Sequence, residues 1–154
     1  MKKKNNKIIV KNKKAYFDYE ILDAREAWIE LKWYETKSVR NGNVNLKWAY
    51  IRMTNWELYI KQMHISVWKT ISNKGLIDPK RERKIFLHKK TINNLDWKVK
   101  QAWNSIVPLE IYFVWNLIKV KVWLVKWRKL HQKKQVLKER TMDKEAKIVM
   151  KKFL

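Results

Sequence analysis

The stretch Lys119–Lys134, KVKVWLVKWRKLHQKK, divides the chain. An alternating strand ends inside it, and a basic segment without strand character begins. Everything upstream reads as a compact body rich in β-structure. Everything downstream reads as a charged extension too thin to fold alone. Trp123 and Trp127 stand where a strand end and a joint ordinarily take something smaller.

At 154 residues the chain allows one domain with appendages and a single real core. Its net charge of +23 is extreme for that size and points to a polyanionic partner, either nucleic acid or an anionic membrane surface. Both ends are the most biased parts. Residues 1–14 carry seven Lys and no acid, and residues 128–154 carry ten Lys or Arg against three acids. The absence of cysteine excludes a disulfide framework and a thiolate metal site, and fits a reducing compartment. No apolar run approaches the ~18 residues of a membrane span. The opening MKKKNNKIIVKNKK has too short an apolar run for a signal peptide.

Along the chain, Ile8–Val10 reads as a short strand with an exit loop over Asn12–Tyr16. Ile21–Ala27 is expected to be a short helix, with Asp18, Glu20 and Asp23 at its positive end. Ile29 and Leu31 alternate as a strand, and Tyr34–Arg40 reads as a helical turn ended by Asn41-Gly42. Val44–Met53 and Glu57–Ile65 form a hairpin around Thr54-Asn55-Trp56. Val67–Arg83 is a long loop, Arg83–His88 a strand, and Thr91–Ala102 a helix with Ile92, Leu95 and Val99 on one face. A second hairpin joins Ile106–Phe113 to Leu117–Val125. In the tail, Leu137, Met142, Ala146, Val149 and Phe153 recur at about helical spacing.

The expected fold is mainly β with short helices: a small closed antiparallel β-barrel, OB-like in plan, of about six or seven strands. A basic C-terminal tail, disordered or helical, follows it. The expected boundaries are a disordered basic arm over 1–7, a barrel over 8–127 and a tail over 128–154.

Tryptophan is as overused as glycine is scarce. Glycine at the usual 7% or so predicts roughly eleven residues; there are two, and ten Trp. The turn of the first hairpin needs φ > 0 at both central residues, where Asn-Gly is the usual choice and Trp56 fits badly. Trp115 raises the same objection in the second hairpin. Trp103 closes the helix where a C-terminal glycine is usual.

Six strings together resemble the SsrA-binding protein (SmpB) family, the tmRNA partner in bacterial trans-translation. They are NKKAYFDY (12–19), REAWIELKWYETKSVRNGNVNLK (25–47), WELYIKQMHIS (56–66), DPKRERKIFLHKKTI (78–92), VPLEIYF (107–113) and KVKVWLVKWRKLHQKK (119–134). The resemblance runs collinearly over roughly residues 8–150. It implies glycine in the family at Trp28, Trp33, Trp56, Trp97, Trp103 and Trp127, and also at Trp115 and Trp123; it assigns no glycine to Trp48 or Trp68, and the family often carries an aromatic at the latter. The expectation is a gene that uses UGA for glycine, which suits the Lys/Asn/Ile-rich composition of an AT-rich genome.

Basic charge interleaved with aromatics on a barrel suits phosphate contact and base stacking. The resemblance places a tmRNA-binding face at Asn12, Lys13, Glu26, Glu35, Lys37, Ser38, Arg40, Asn45, Phe86 and Lys119. Of these, Lys13, Lys37, Arg40 and Lys119 would hold phosphates, and Glu26 would accept from a base amino group or a 2′-OH. Phe86 reads equally as core packing, and Glu35 as a brace for Lys37 or Arg40. The resemblance also places Trp127, Arg128, Lys129, His131, Lys133, Lys134 and Lys138 in a tail that meets the small-subunit decoding centre and mRNA channel. Gln132-Lys133-Lys134 stands where the family usually has Asp-Lys-Arg.

No enzyme signal survives. Asp18 and Glu20 read as capping charges, Ser38 lacks a nucleophile-elbow pattern to go with His64 and Asp78, and the three His lack zinc spacing. The expectation is a cytoplasmic, monomeric adaptor that needs no metal or cofactor, with tmRNA and the ribosome as partners and no membrane. The alternatives are a generic OB-type RNA binder and a basic amphipathic membrane-interacting protein.

Overall fold

The computed structural model describes residues 7–68 and 74–152. The arm expected over 1–7 lies outside them except for Lys7, as do Phe153 and part of the long loop. Nine strands and four α-helices are present among the described residues. In chain order they are β1 Lys7–Lys11, α1 Lys13–Asp18, β2 Tyr19–Ile29, α2 Trp33–Arg40, β3 Val44–Asn45, β4 Tyr50–Thr54 and β5 Glu57–Lys61. Then follow β6 His64–Ile65, β7 Arg83–Phe86, α3 Lys89–Ala102, β8 Ser105–Val114, β9 Leu117–Trp127 and α4 Leu130–Lys152. The main sheet has seven strands in the order β1-β8-β4-β5-β7-β2-β9, and β9 pairs with β8 as well. Strands β3 and β6 pair separately.

Period-2 alternation builds this sheet. In β9, Val120, Val122 and Leu124 face inward while Lys119, Lys121 and Trp123 are only partly covered. Strand β8 is buried along nearly its whole length because β1 and β9 flank it and α1 covers part of it. The core gathers Leu58, Ile60, Met63, Ile85, Ile111, Val120 and Val122, and α3 closes it with Ile92 and Leu95. Each such side chain contributes roughly 1.5–3 kcal/mol by leaving water. The expected apolar face of α3 is therefore the face that packs, with Val99 at its margin.

Both hairpins form where expected, although the first is shorter than its reading. β4 and β5 pair from Tyr50↔Lys61 to Thr54↔Glu57, and the tip residues Asn55 and Trp56 have φ of 50° and 63°. That is the positive-φ pair a two-residue type I′ turn demands. β8 and β9 close at Val114↔Leu117 with Trp115 at φ 60°. Helix α3 ends on Trp103 at φ 52°, ψ 32°, the left-handed cap conformation.

The expected helix over Ile21–Ala27 is a strand instead. These residues belong to β2, which pairs with β9 from Tyr19↔Trp127 to Trp28↔Lys119. A register shift between Ile21 and Asp23 breaks the simple alternation there. The first helix lies earlier, where an exit loop was expected. The Asn12 side chain accepts the Ala15 N–H at 3.1 Å and starts α1. Ile29 closes β2, and Leu31 lies outside any strand. The tail takes the helical alternative: α4 spans 23 residues, none of them buried.

Candidate nucleic-acid interface

Three adjacent strands bring basic and aromatic side chains into one row, the rings of Trp28 and Phe86 exposed and Lys84 and Lys119 partly covered. Trp28 on β2 lies opposite Phe86 on β7 and opposite Lys119 on β9. Phe86 is 45% exposed, so it is a surface ring rather than a core one. The Lys84 ammonium lies 5.4 Å from the Phe86 ring centre, and that of Lys119 lies 4.7 Å from Trp28. The Glu26 carboxylate is 3.4 Å from Lys119 Nζ, at the edge of the row. The sequence reading missed Lys84, although its place beside Phe86 follows from the alternation in RERKIFLH.

Helix α2 supplies the next two cations. Lys37 and Arg40 are exposed on its last turn, and Arg40 Nη2 reaches the Asn116 carbonyl at the β8–β9 tip (3.4 Å). That contact ties the helix to the hairpin carrying Lys119. Lys13 and Asn45 lie elsewhere, in a shallow groove of about 330 Å³ shared with Lys11, Lys14 and Lys47. The expected face is thus two basic regions, one on the strands with α2 and one around the β1–α1 junction.

Asn12, Glu35 and Ser38 are inside the protein, at 3%, 3% and 1% exposure. The Asn12 amide donates to the carbonyls of Leu46 (2.8 Å) and Pro108 (3.2 Å), locking α1 to the body. Glu35 braces neither Lys37 nor Arg40. It accepts from Arg81 Nε (2.9 Å) and Nη2 (2.5 Å), Arg83 Nε (2.9 Å) and the Lys32 N–H (2.9 Å). Burial by itself would raise the Glu35 carboxyl. The hydrogen bonds from Arg81 and Lys32 and the two guanidinium charges outweigh it and hold the group below the ordinary value. Arg83 is fully buried and also donates to the carbonyls of Met63, Arg81 and Pro79. These side chains shape the region that carries the exposed cations.

The tail residues divide in the same way. The Lys129 N–H donates to Gln132 Oε1 at 3.0 Å, half of a capping box that starts α4. Lys133 Nζ lies 2.9 Å from Asp18 Oδ1, and the Arg128 N–H donates to the Asp18 carbonyl at 3.0 Å. Lys133 also lies 3.9 Å from the Trp127 ring centre. The root of α4 is therefore held against α1, a contact the sequence did not reveal. Lys129, His131, Lys134 and Lys138 are exposed beyond it.

Among the described residues, no group of three or more His, Cys, Asp or Glu could hold a metal ion. No helix among them is long and apolar enough to cross a membrane.

Comparison with known proteins assigns this arrangement to a family. The family model described as SmpB protein matches residues 9–152. An SsrA-binding protein from Helicobacter hepaticus is 43% identical over 148 residues, covering 96% of this chain and 96% of that one. Another, from Caldicellulosiruptor bescii, is 41% identical and covers 99% of this chain and 96% of its own. Among solved structures, a chain from "tmRNA-SmpB: a journey to the center of the bacterial ribosome" aligns with a TM-score of 0.65 at 37% identity. It covers 80% of this chain and 85% of the other. The chain belongs to the SmpB protein family.

Proposed function

We propose that this protein is a tmRNA-binding adaptor of trans-translation, the rescue of stalled ribosomes, and that it works by binding rather than by catalysis. The observation that carries this reading is how the basic charge is distributed. One part lies on a face over β7, β2 and β9 with α2, where the rings of Trp28 and Phe86 and the cations Lys37 and Arg40 are exposed beside the partly covered Lys84 and Lys119. The other lies on α4, a basic helix that buries none of its residues.

The body, residues 8–127, grips the tRNA-like domain of tmRNA. Lys13, Lys37, Arg40 and Lys119 meet phosphates, which positions the RNA without reading its sequence. Phe86 offers a stacking surface, and Glu26 is placed to accept from a ribose 2′-OH or a base amino group. Asn12, Glu35 and Ser38 support this face from within. The body stands in for an anticodon arm, so that protein and RNA together have the outline of a tRNA. The tail, residues 128–154, enters the mRNA channel left empty on a stalled ribosome. There Trp127, Arg128 and Lys129 lead into it, His131 stacks on small-subunit rRNA, and Lys134 and Lys138 meet its phosphates. Lys133 reaches the same surface once it leaves Asp18. The ribosome supplies the chemistry, and binding selects and orients the target. Such an adaptor works in the cytoplasm as a monomer, without metal or cofactor.

We read the main sheet as a small closed antiparallel barrel of OB-like plan. The support is β9, which pairs with β2 on one side and with β8 on the other, bringing the end of the sheet back to its second strand.

Truncation after Trp127 tests the division of labour. The shortened chain is expected to retain tmRNA binding at near-physiological salt and to lose ribosome rescue. Rescue by the truncated chain would overturn the proposal for the tail.

A further inference from the structure

Three of the five positive-φ non-glycine residues among the described positions are tryptophans. Trp56 sits at a hairpin tip with φ 63°, Trp115 at another with φ 60°, and Trp103 at a helix C-cap with φ 52°. In the left-handed region the Cβ of an L-residue crowds the following carbonyl, which is why glycine usually takes these turns. Asn and Asp tolerate the conformation through local hydrogen bonds; an indole has no such compensation.

Their surroundings add nothing that a tryptophan needs. Trp56, Trp103 and Trp115 are 64%, 98% and 81% exposed. None of the ten Trp is among the buried core residues, which are mainly Leu, Ile, Val, Met and Ala, although Trp123 packs against the edge of the core beside Tyr16. Tryptophan is normally among the most buried side chains by area. Trp123, which is partly covered, leaves its indole N–H without a hydrogen-bond partner, against the usual rule for a covered indole. Binding aromatics would gather on one surface, yet these positions belong to two separate hairpins and a helix end. The chain meanwhile has two glycines.

We infer that Trp56, Trp103 and Trp115 are glycine in the protein as its own host makes it, and so is every tryptophan that shares their codon. The codon would be UGA, read by a glycine tRNA, while any UGG position remains tryptophan. The fold then has a glycine at both hairpin tips and at the end of α3. Where Trp28 shares the codon, Phe86 and Lys119 flank an open strip of backbone that RNA can approach closely.

The codons at these three positions decide the matter first. UGA is expected at all three, and UGG at them overturns the inference. The intact mass of protein purified from the native host is the direct check. It is expected to fall short of the mass of the tryptophan-bearing chain by whole multiples of the Trp–Gly difference, three at least. A mass equal to that of the ten-Trp chain overturns the inference. Two full-length chains made in a standard host test the physical argument independently. The triple replacement Trp56→Gly, Trp103→Gly and Trp115→Gly is expected to raise Tm by roughly 5 °C. An unchanged or lower Tm would remove the strain argument on which the inference rests.

Discussion

Replacing Glu35 by glutamine keeps the shape of the side chain and removes its charge from the interior. In the parent protein the carboxylate lies 2.8 Å from Arg83 and 2.5 Å from Arg81, with side-chain exposures of 4% for Glu35 and 0% for Arg83. Taking one partner from such a pair leaves an uncompensated buried charge, which costs about 3–5 kcal/mol. The carbonyls of Met63, Pro79 and Arg81 still hold Arg83, and the glutamine oxygen can accept one bond. The low end, about 3 kcal/mol, is therefore expected. For a body of this size that lowers Tm by roughly 10 °C. Chemical denaturation should show the loss as a lower midpoint with an unchanged slope. Because the side chain faces inward, tmRNA affinity measured well below the melting transition should change less than about threefold, under 1 kcal/mol. A variant that melts like the parent but no longer binds tmRNA would refute this reasoning and make Glu35 an RNA contact.

The same cluster sets part of the acid response. Because the folded state holds the Glu35 carboxyl below its ordinary 4.5, its contribution is present above the unfolded value and lost as pH falls through the folded one. Stability should therefore drop below about pH 4, less steeply in Glu35→Gln, as followed by denaturant melts across pH; a gain on acidification would contradict the sign. At the alkaline end, burial and then the Glu110 carboxylate push the Tyr16 phenol above its ordinary 10.0. That contribution is complete below pH 10 and fades above it, so Tyr16→Phe should flatten the alkaline limb of the same melts. Lys119→Ala should weaken tmRNA binding and reduce the slope of log affinity against log salt by about one phosphate contact. Phe86→Ala should cost about 1–3 kcal/mol in the same gel-shift titration, whereas a core role would lower Tm instead. Asp18→Asn should loosen the root of α4, seen as faster amide exchange over residues 128–134 with little change in body stability; unchanged exchange would mean the Lys133 contact does not hold the helix.

Much of this fold could be read from local pattern. The inward positions of β9 follow from alternation, the packed face of α3 from Ile92, Leu95 and Val99, and the hairpin tips from turns that require φ > 0. Strand β2 was misread because Asp18, Glu20 and Asp23 have the appearance of acids at a helix start. In the folded chain Asp18 pairs with Lys133, 115 residues away, and Asp23 lies 3.0 Å from Arg25. Glu35 posed the same difficulty. Its burial depends on guanidiniums supplied 46 and 48 residues later. The one local sign was the alternation that puts Arg81 and Arg83 on the same side as Ile85. The exposed cations Lys13 and Lys37 were legible because charge that stays in water needs no distant partner. The buried site residues were not, because a polar group enters a core only with partners that the fold brings from elsewhere.

This basic surface is expected to select tmRNA rather than polyanions in general. Competition gel-shifts with the full chain, tmRNA against bulk tRNA at a fixed near-physiological salt, test it most directly, with anionic liposomes as a second competitor. tmRNA is expected to be bound in preference to tRNA, and liposomes are expected not to displace it. Equal affinity for both RNAs, or displacement by liposomes, would contradict that selectivity.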